Sequence, residues 1–581
     1  MKRFWLPAAV AAAALACAPQ TPGPGAAGGE PPPQDFITGG AWGQGQEPKR
    51  GGVAVFAHRE DPPSGWDPLV GGTINLGQVA SPMTGDGNLL KPCREDVDKV
   101  CLGLAERWEA SADHSQFVFK IRDSVRWHDG VGFTAEDAKF WLDLAYFGMT
   151  VGDKRRGPSR LRATMGDIKG TEVLEGNRVR VTLNGPEPLW PTMLAQLNVG
   201  VVAGTIWHPK HLTMPLFEQG TMNVAPQDIG FVGLGPYKME KFEKGSLISV
   251  RRFDGYWEKD EKGRQLPHLD GVEYPIIRDP TAMDAAFRTG RIDLTARGTG
   301  HYFNAERYEP MKAALGDKVW FGQIEGALHT LTFNQTRAGP LQDVRVRKAI
   351  LLWFDKQAFT DAIHGGPCCG MLHPGVSPES IWPNPDWKSW PGFNPVTRQR
   401  DRDEAKRLMR EAGYAEGVEV PYMCRRQWIS TVCEWVVGDL AGLGVRLTLD
   451  LVDDAEWRRR ELAGEHFMQN FSGWSFNASI GPEVHEGQIG RASLHPSSVL
   501  KHEDQKIDEF YRRLRAASGN LDERVKVWRE LERYLVLEQV FGVPGWGELA
   551  LVAGRSYVKG MHIPKRNRAN NLDMATVWLD K

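Results

Sequence analysis

Residues 104–137 read LAERWEASADHSQFVFKIRDSVRWHDGVGFTAED. Phe117-Val118-Phe119-Lys120-Ile121 has the alternating apolar pattern and β-rich composition of a strand. Thr134 stands three residues before Asp137, so a hydroxyl and a carboxylate can exchange hydrogen bonds with each other's backbone N–H groups at a helix start. Ala138, Trp141, Leu142 and Ala145 then share one helical face. Between strand and helix lies Trp127-His128-Asp129-Gly130, whose setting suits a turn better than a catalytic His/Asp couple.

The same alternation of strand and helix signals continues from Gly51 onward with no internal repeat, so the expected class is α/β or α+β. Val179–Leu183, Leu247–Val250 and Val445–Leu451 read as strands, the last following the stop signal Gly442-Leu443-Gly444. Three more helices are expected. One is capped by Asp401, buries Ala405, Leu408, Met409 and Ala412, and ends at Gly413. A second follows Asp343 and runs through Val344, Lys348–Leu352 and Phe359, and a third carries Val525, Trp528, Leu531 and Leu535.

The chain has 581 residues, enough for several domains. Its 71 Lys+Arg and 73 Asp+Glu give a formal charge of −2, so no whole-chain field draws in nucleic acid or an anionic membrane. With 41% hydrophobic and 25% charged residues, the chain is neither disordered nor a polytopic membrane protein. The 21 tryptophans suit either a Trp-rich core or aromatic-lined clefts.

Lys2 and Arg3 precede the uncharged run FWLPAAVAAAALA at residues 4–16, the order of a secretory signal, and the run is too short to span a bilayer. Ala14-Leu15-Ala16-Cys17 resembles a bacterial lipobox, which implies that Cys17 is the lipidated first residue of the mature protein; its Leu stands one place later than usual. Residues 18–50 are rich in Pro and Gly and read as a tether of ~30 Å reach. Six cysteines remain, and an exported chain meets an oxidising compartment in which disulfides persist. Connectivity cannot be deduced from spacing alone, although short loops favour Cys93 with Cys101 and Cys424 with Cys433; Cys368 and Cys369 are adjacent.

The chain carries few of the motifs that mark chemistry. There is no G-x-x-x-x-G-K-[ST], no G-x-G-x-x-G opening a helix and no G-x-S-x-G elbow, and in Gly233-Leu234-Gly235-Pro236 the proline lacks a backbone donor. His485-Glu486 lacks the second histidine of a zinc helix. No metal and no cofactor are expected.

Several segments together resemble the family 5 extracellular solute-binding proteins, the oligopeptide- and dipeptide-binding lipoproteins of bacterial ABC importers. They are Leu104 to Glu109, Phe117 to Arg122, Val125 to Gly130 and Phe133 to Asp137, with Gly51-Gly52, Trp66-Asp67-Pro68, Gly233 to Tyr237, Asp254 to Trp257, Asp343 to Ala349 and Ala405 to Tyr414 in family order. The resemblance implies an α/β, two-lobed periplasmic-binding-protein fold of the class II type, with an extra domain inserted in the first lobe. Lobe I would comprise residues 51–88, 205–325 and 548–581, the inserted domain 89–204, and lobe II 326–547, the lobes joined by crossing strands around a ligand cleft.

Such a protein is no enzyme. It would be a monomer on the outer side of the membrane, held there by its lipid alone, that delivers a solute to ABC permease subunits. Peptide binders of this family commonly hold the ligand's amino group with an Asp three residues after the Trp of a "GW--DY--P" loop. Here the loop is Gly473-Trp474-Ser475-Phe476-Asn477-Ala478-Ser479-Ile480-Gly481-Pro482, and the acid is replaced by the neutral Asn477. An ammonium buried without a counter-charge costs several kcal/mol, so either another acid such as Glu483 supplies the charge or the ligand is neutral, as an oligosaccharide would be. The residues expected at the ligand are Thr73, Asn75, Arg425, Gln427, Trp428, Trp474, Phe476 and Asn477. A peptide-class solute is the leading expectation, with an oligosaccharide second. Readings from other classes are a cell-envelope hydrolase and a module that presents its ligand to a signalling receptor.

Overall fold

A computed structural model describes residues 36–581, apart from 63–65, 67–73, 86–87, 95–98, 152, 159–161, 163–164, 197–208, 220–229, 297–304, 366–367, 427–429, 472–485, 496–497, 518–519 and 565–571. Its hydrophobic side chains gather in several cores, three of which share the largest sheet.

In the stretch that opens with Leu104, strands Ala105–Ala110, Gln116–Ile121, Arg178–Leu183 and Ile168–Leu174 form a four-stranded antiparallel sheet. Phe117, Phe119 and Ile121 turn inward, as the alternation requires, and meet Trp141, Leu142 and Ala145 of helix Ala135–Tyr146. The expected capping box is present: Thr134 Oγ1 accepts the Asp137 N–H at 3.3 Å and Asp137 Oδ2 accepts the Thr134 N–H at 3.0 Å. Trp127-His128-Asp129-Gly130 is a turn, closed by Gly130 N–H to Trp127 O at 2.8 Å. His128 is half-buried within it, accepting from Gly233 N–H at 3.1 Å through Nδ1 and donating to Gly235 O at 3.0 Å through Nε2. Burial lowers its pKa to about 4, so it stays neutral and structural. Gly233 and Gly235 press against Met83–Gly85, where an added Cβ would lie 2.2 and 2.5 Å from backbone atoms.

A second four-stranded sheet orders Tyr237–Glu243, Leu247–Arg252, Gly271–Pro275 and Val53–Val55, the last pair parallel. Helix Ile74–Thr84 adds Leu76, Val79, Ala80 and Met83 to its core. The largest sheet contains the two longest strands, Val319–Phe333 and Gly542–Arg555, paired antiparallel, with Met468–Phe471, Val418–Arg425 and Val445–Val452 to one side. Helices Val344–Trp353, Arg398–Glu411, Ser430–Ala441 and Leu521–Arg533 contribute to the core beside it.

Two helix expectations are corrected. The helix expected to start at Asp401 begins at Arg398, and buried Asp401 instead accepts from Thr397 Oγ1 at 2.7 Å and Gly392 N–H at 2.9 Å. The helix expected to run from Val344 through Phe359 is two, Val344–Trp353 and Lys356–His364, because Asp355 caps the second by accepting the Ala358 N–H. Most described tryptophans are buried, among them Trp127, Trp141, Trp190, Trp528 and Trp546, so the tryptophan excess largely builds cores.

Disulfides join Cys93 to Cys101, Cys424 to Cys433 and Cys368 to Cys369. Among the described residues no helix is long and apolar enough to cross a membrane, and no group of His, Cys, Asp and Glu has the makings of a metal site. Cys17 lies outside the described residues.

Candidate functional site

The two long strands pass from one core to another. Trp320 and Ile324 belong to the core containing Phe56 and Tyr274, whereas Leu331 and Phe333, further along the same strand, belong to the core containing Tyr422 and Trp528. On the partner strand Val543 and Trp546 lie in the latter core, and Ala550 and Val552 in the former. Register shifts between Glu325 and Leu328 and between His329 and Thr330 mark the crossover. Such irregularities bend a strand and re-aim its side chains, and they favour functional sites.

Buried polar groups gather at this junction. Glu325 is 5% exposed, and its Oε2 accepts from Ser377 Oγ at 2.6 Å. Burial, opposed by that hydrogen bond and assisted by Glu379, raises its pKa to about 7. Glu548, 8% exposed, lies on the opposite strand, its carboxyl carbon 3.2 Å from where a Cβ at Gly326 would stand. A side chain at 326 would press on that carboxyl and on the Glu548 carbonyl, which would have to give by a few tenths of an ångström. The His329 and Trp546 rings are parallel within 9° at 6.3 Å. His373 clasps both strands, its Nε2 lying 3.1 Å from His329 O and 2.9 Å from Trp546 O, while Nδ1 accepts from Gly375 N–H. Burial lowers its pKa to about 4, so the clasp is neutral.

Beside the junction lies the carboxyl edge of a parallel set. Val418–Arg425 runs parallel to Val445–Val452 and to Met468–Phe471. Ligands of open α/β sheets bind at such edges. Arg425 ends its strand with its guanidinium 3.8 Å from the centroid of the buried Trp457 ring, a cation–π stack that fixes the plane of the charge. Below it, buried Glu461 accepts from Gln469 Nε2 at 3.2 Å and contacts Arg458; burial raises its pKa, and Arg458 and Arg425 oppose the rise.

Of the residues expected at the ligand, Arg425 is described in full. Asn75 lies in helix Ile74–Thr84, with its side chain outside the described residues. Thr73, Gln427, Trp428, Trp474, Phe476 and Asn477 also lie outside them; Gln427 and Trp428 follow Arg425, and Trp474, Phe476 and Asn477 follow Phe471 in sequence.

Sequence reasoning missed Glu325, Ser377, His373 and Glu548, which carry no local motif. It also missed Gln78 and Asn470, buried amides whose side-chain oxygen and nitrogen find no hydrogen-bond partner among the described residues. Gln78 lies one helical turn beyond Asn75, and Asn470 is the penultimate residue of its strand. An unsatisfied buried polar group costs about 1–3 kcal/mol. The one available signal was polarity inside otherwise apolar segments.

The description "Bacterial extracellular solute-binding proteins, family 5 Middle" matches residues 99–483. The Dipeptide-binding protein of Escherichia coli (strain K12) is 25% identical over 404 residues, 65% of this chain and 68% of that protein. Among solved structures, the ABC transporter-associated periplasmic binding protein DppA from Helicobacter pylori, in complex with peptide STSA, superposes with a TM-score of 0.72 at 20% identity, over 92% of this chain and 99% of that one. The periplasmic binding protein AgaA from A. tumefacien R10, in complex with agropinic acid, gives 0.71 at 21% identity, over 91% and 99%. The overall fold is therefore that of periplasmic binding proteins.

Proposed function

Because this chain belongs to the family 5 bacterial extracellular solute-binding proteins, which are binding proteins and not enzymes, we propose that it captures a peptide-class solute at the strand junction and delivers it to the permease of an ABC importer. Lobe I (51–88, 205–325, 548–581) and lobe II (326–547) would close on the ligand, with residues 89–204 an appended domain. Closure follows when contacts to both lobes make the ligand's affinity for the closed form higher than for the open one. Cys17 would hold the monomer to the membrane by its lipid, with residues 18–50 as tether.

The observation that carries the peptide reading is the pair of buried carboxyl groups, Glu325 and Glu548, on opposite crossing strands. They offer the negative charge that the loop lacks at Asn477. Glu325, shifted toward neutrality by burial, would ionise against a ligand ammonium, because an opposite charge within about 4–6 Å favours the charged form. Arg425, steadied by Trp457, would receive an acidic group, a task that suits a planar guanidinium. Trp474, Phe476 and Trp428 would supply stacking, and Thr73, Asn75, Gln427 and Asn477 neutral hydrogen bonds.

An oligosaccharide-class ligand is the second reading, favoured by the neutral Asn477 itself and by the unsatisfied amides of Gln78 and Asn470. Calorimetry decides between them, with free and N-acetylated peptides, neutral oligosaccharides, and low and high salt. The peptide reading expects saturable binding that N-acetylation weakens at least about tenfold, the factor produced by 1.4 kcal/mol. Oligosaccharide binding without peptide binding would replace it with the second reading.

A further inference from the structure

We propose that the Cys368–Cys369 disulfide is a redox modification site at the strand junction, opened selectively by dithiols, and that its opening releases a tie between the two crossing strands. The proposal rests on strand geometry and applies whatever the ligand.

Adjacent residues are held 3.8 Å apart at Cα by the peptide bond itself, as they are here. Disulfides ordinarily span about 4.4–6.8 Å, and bridges forced outside that range store strain and reduce more readily. The other two bridges fall within it, at 5.0 Å for Cys93–Cys101 and 6.4 Å for Cys424–Cys433. Each of those also encloses a loop, with sequence separations of 8 and 9, and so removes freedom from the unfolded chain. A bridge between neighbours encloses no loop and gains nothing on that account, so stability alone does not explain it.

Its location suggests a use. The Cys368 carbonyl accepts from Gln323 Nε2 at 2.6 Å, on one crossing strand, and the Cys369 carbonyl accepts from Leu549 N–H at 2.9 Å, on the other. The next two residues, Gly370 and Met371, pair with Glu548 and Gly547. The disulfide ring thus contains the Cys368 carbonyl and ends at the Cα that carries the Cys369 carbonyl, and these two acceptors hold Gln323 and Leu549. Cys368 is half-buried, Cys369 is buried with Phe321, Leu551 and Ala553, and both sulfurs of Cys424–Cys433 are fully buried.

In the opening step one thiolate of a dithiol attacks Cys368 Sγ. The S–S bond breaks, and its electron pair and a proton go to Cys369 Sγ. The second thiol of the reductant then displaces Cys368 Sγ, leaving two protein thiols and an oxidised, cyclic reductant. A disulfide oxidant runs the exchange in reverse.

The test titrates the full-length protein with mixtures of reduced and oxidised dithiothreitol, followed by alkylation and peptide mass spectrometry. Cys368 and Cys369 should become alkylated at a reduced-to-oxidised ratio at least about tenfold lower than the other four cysteines, a separation of 29.6 mV for a two-electron couple. At that ratio, hydrogen–deuterium exchange at the Leu549 amide should accelerate about tenfold or more, the factor for 1.4 kcal/mol, and the doubly substituted Cys368→Ser, Cys369→Ser protein should exchange likewise. Opening of all three bridges together, or of this one last, overturns the selectivity. Unchanged exchange at Leu549 in the selectively reduced wild type overturns the tie, whether or not the double variant folds.

Discussion

Replacing Glu325 by Gln isolates the energetic consequence of placing a carboxyl at the strand junction. A glutamate in an unfolded chain titrates near 4.3, whereas burial raises Glu325 to about 7. The fold therefore prefers the protonated form. Its stability is unaffected by this group below the unfolded pKa, falls as pH rises between the two values, and carries the full penalty above the folded one. At 1.36 kcal/mol for each pH unit of difference, that penalty is roughly 4 kcal/mol. Glutamine is nearly isosteric, cannot ionise, and keeps an oxygen that can accept from Ser377 Oγ. The variant should match wild type at about pH 3 and exceed it by roughly 4 kcal/mol at pH 8. For a cooperative unit of about 150–250 residues each kcal/mol is worth roughly 2–4 °C, so the melting-temperature difference should grow by several degrees across that interval. Thermal scans of both proteins at half-unit pH steps measure it. A difference independent of pH would show that Glu325 is ionised without penalty, and would remove the reason for treating it as a latent counter-charge.

Four further outcomes are expected. Trp474→Ala should cost about 1–3 kcal/mol of ligand affinity by calorimetry, the range for losing a buried aromatic contact; undiminished binding of every ligand would take this loop out of the site. Cys17→Ser should move the protein from the membrane fraction to the soluble one in detergent-free extracts, and a wild type that is already soluble would contradict lipid anchoring. Thr134→Ala removes one arm of the capping box and should destabilise the protein by about 1 kcal/mol, read from the shift in its urea midpoint. Non-reducing peptide mapping should recover Cys93 linked to Cys101 and Cys424 linked to Cys433, and free thiols at those positions would be incompatible with the structure.

Features that depend on neighbours in sequence are legible in the sequence itself. Thr134 and Asp137 cap their helix because the groups that satisfy one another are three residues apart. The alternations at Phe117–Ile121, Val179–Leu183 and Val445–Leu451 became strands because side-chain direction reverses at each residue. The motif order around them was enough to identify the family and its fold. Local reading failed where a competing partner came from elsewhere: Asp401 looks like a cap but is drawn inward by Gly392, and Asp355 restarts a helix that the apolar pattern runs straight through.

The junction was decided by tertiary structure. Glu325 meets Ser377 across 52 residues of chain, and His373 reaches Trp546 across 173. Neither pairing leaves a mark in composition or periodicity. The chemistry there also depends on burial, since the same glutamate in water titrates as any other, and only exclusion of solvent by two cores meeting at one pair of strands raises its pKa and makes its charge costly. The sequence alone determines which segments become strands and helices and which family they assemble into. The electrostatic character of the place where the cores meet follows from distances between residues far apart in the chain, and those exist only once the chain has folded.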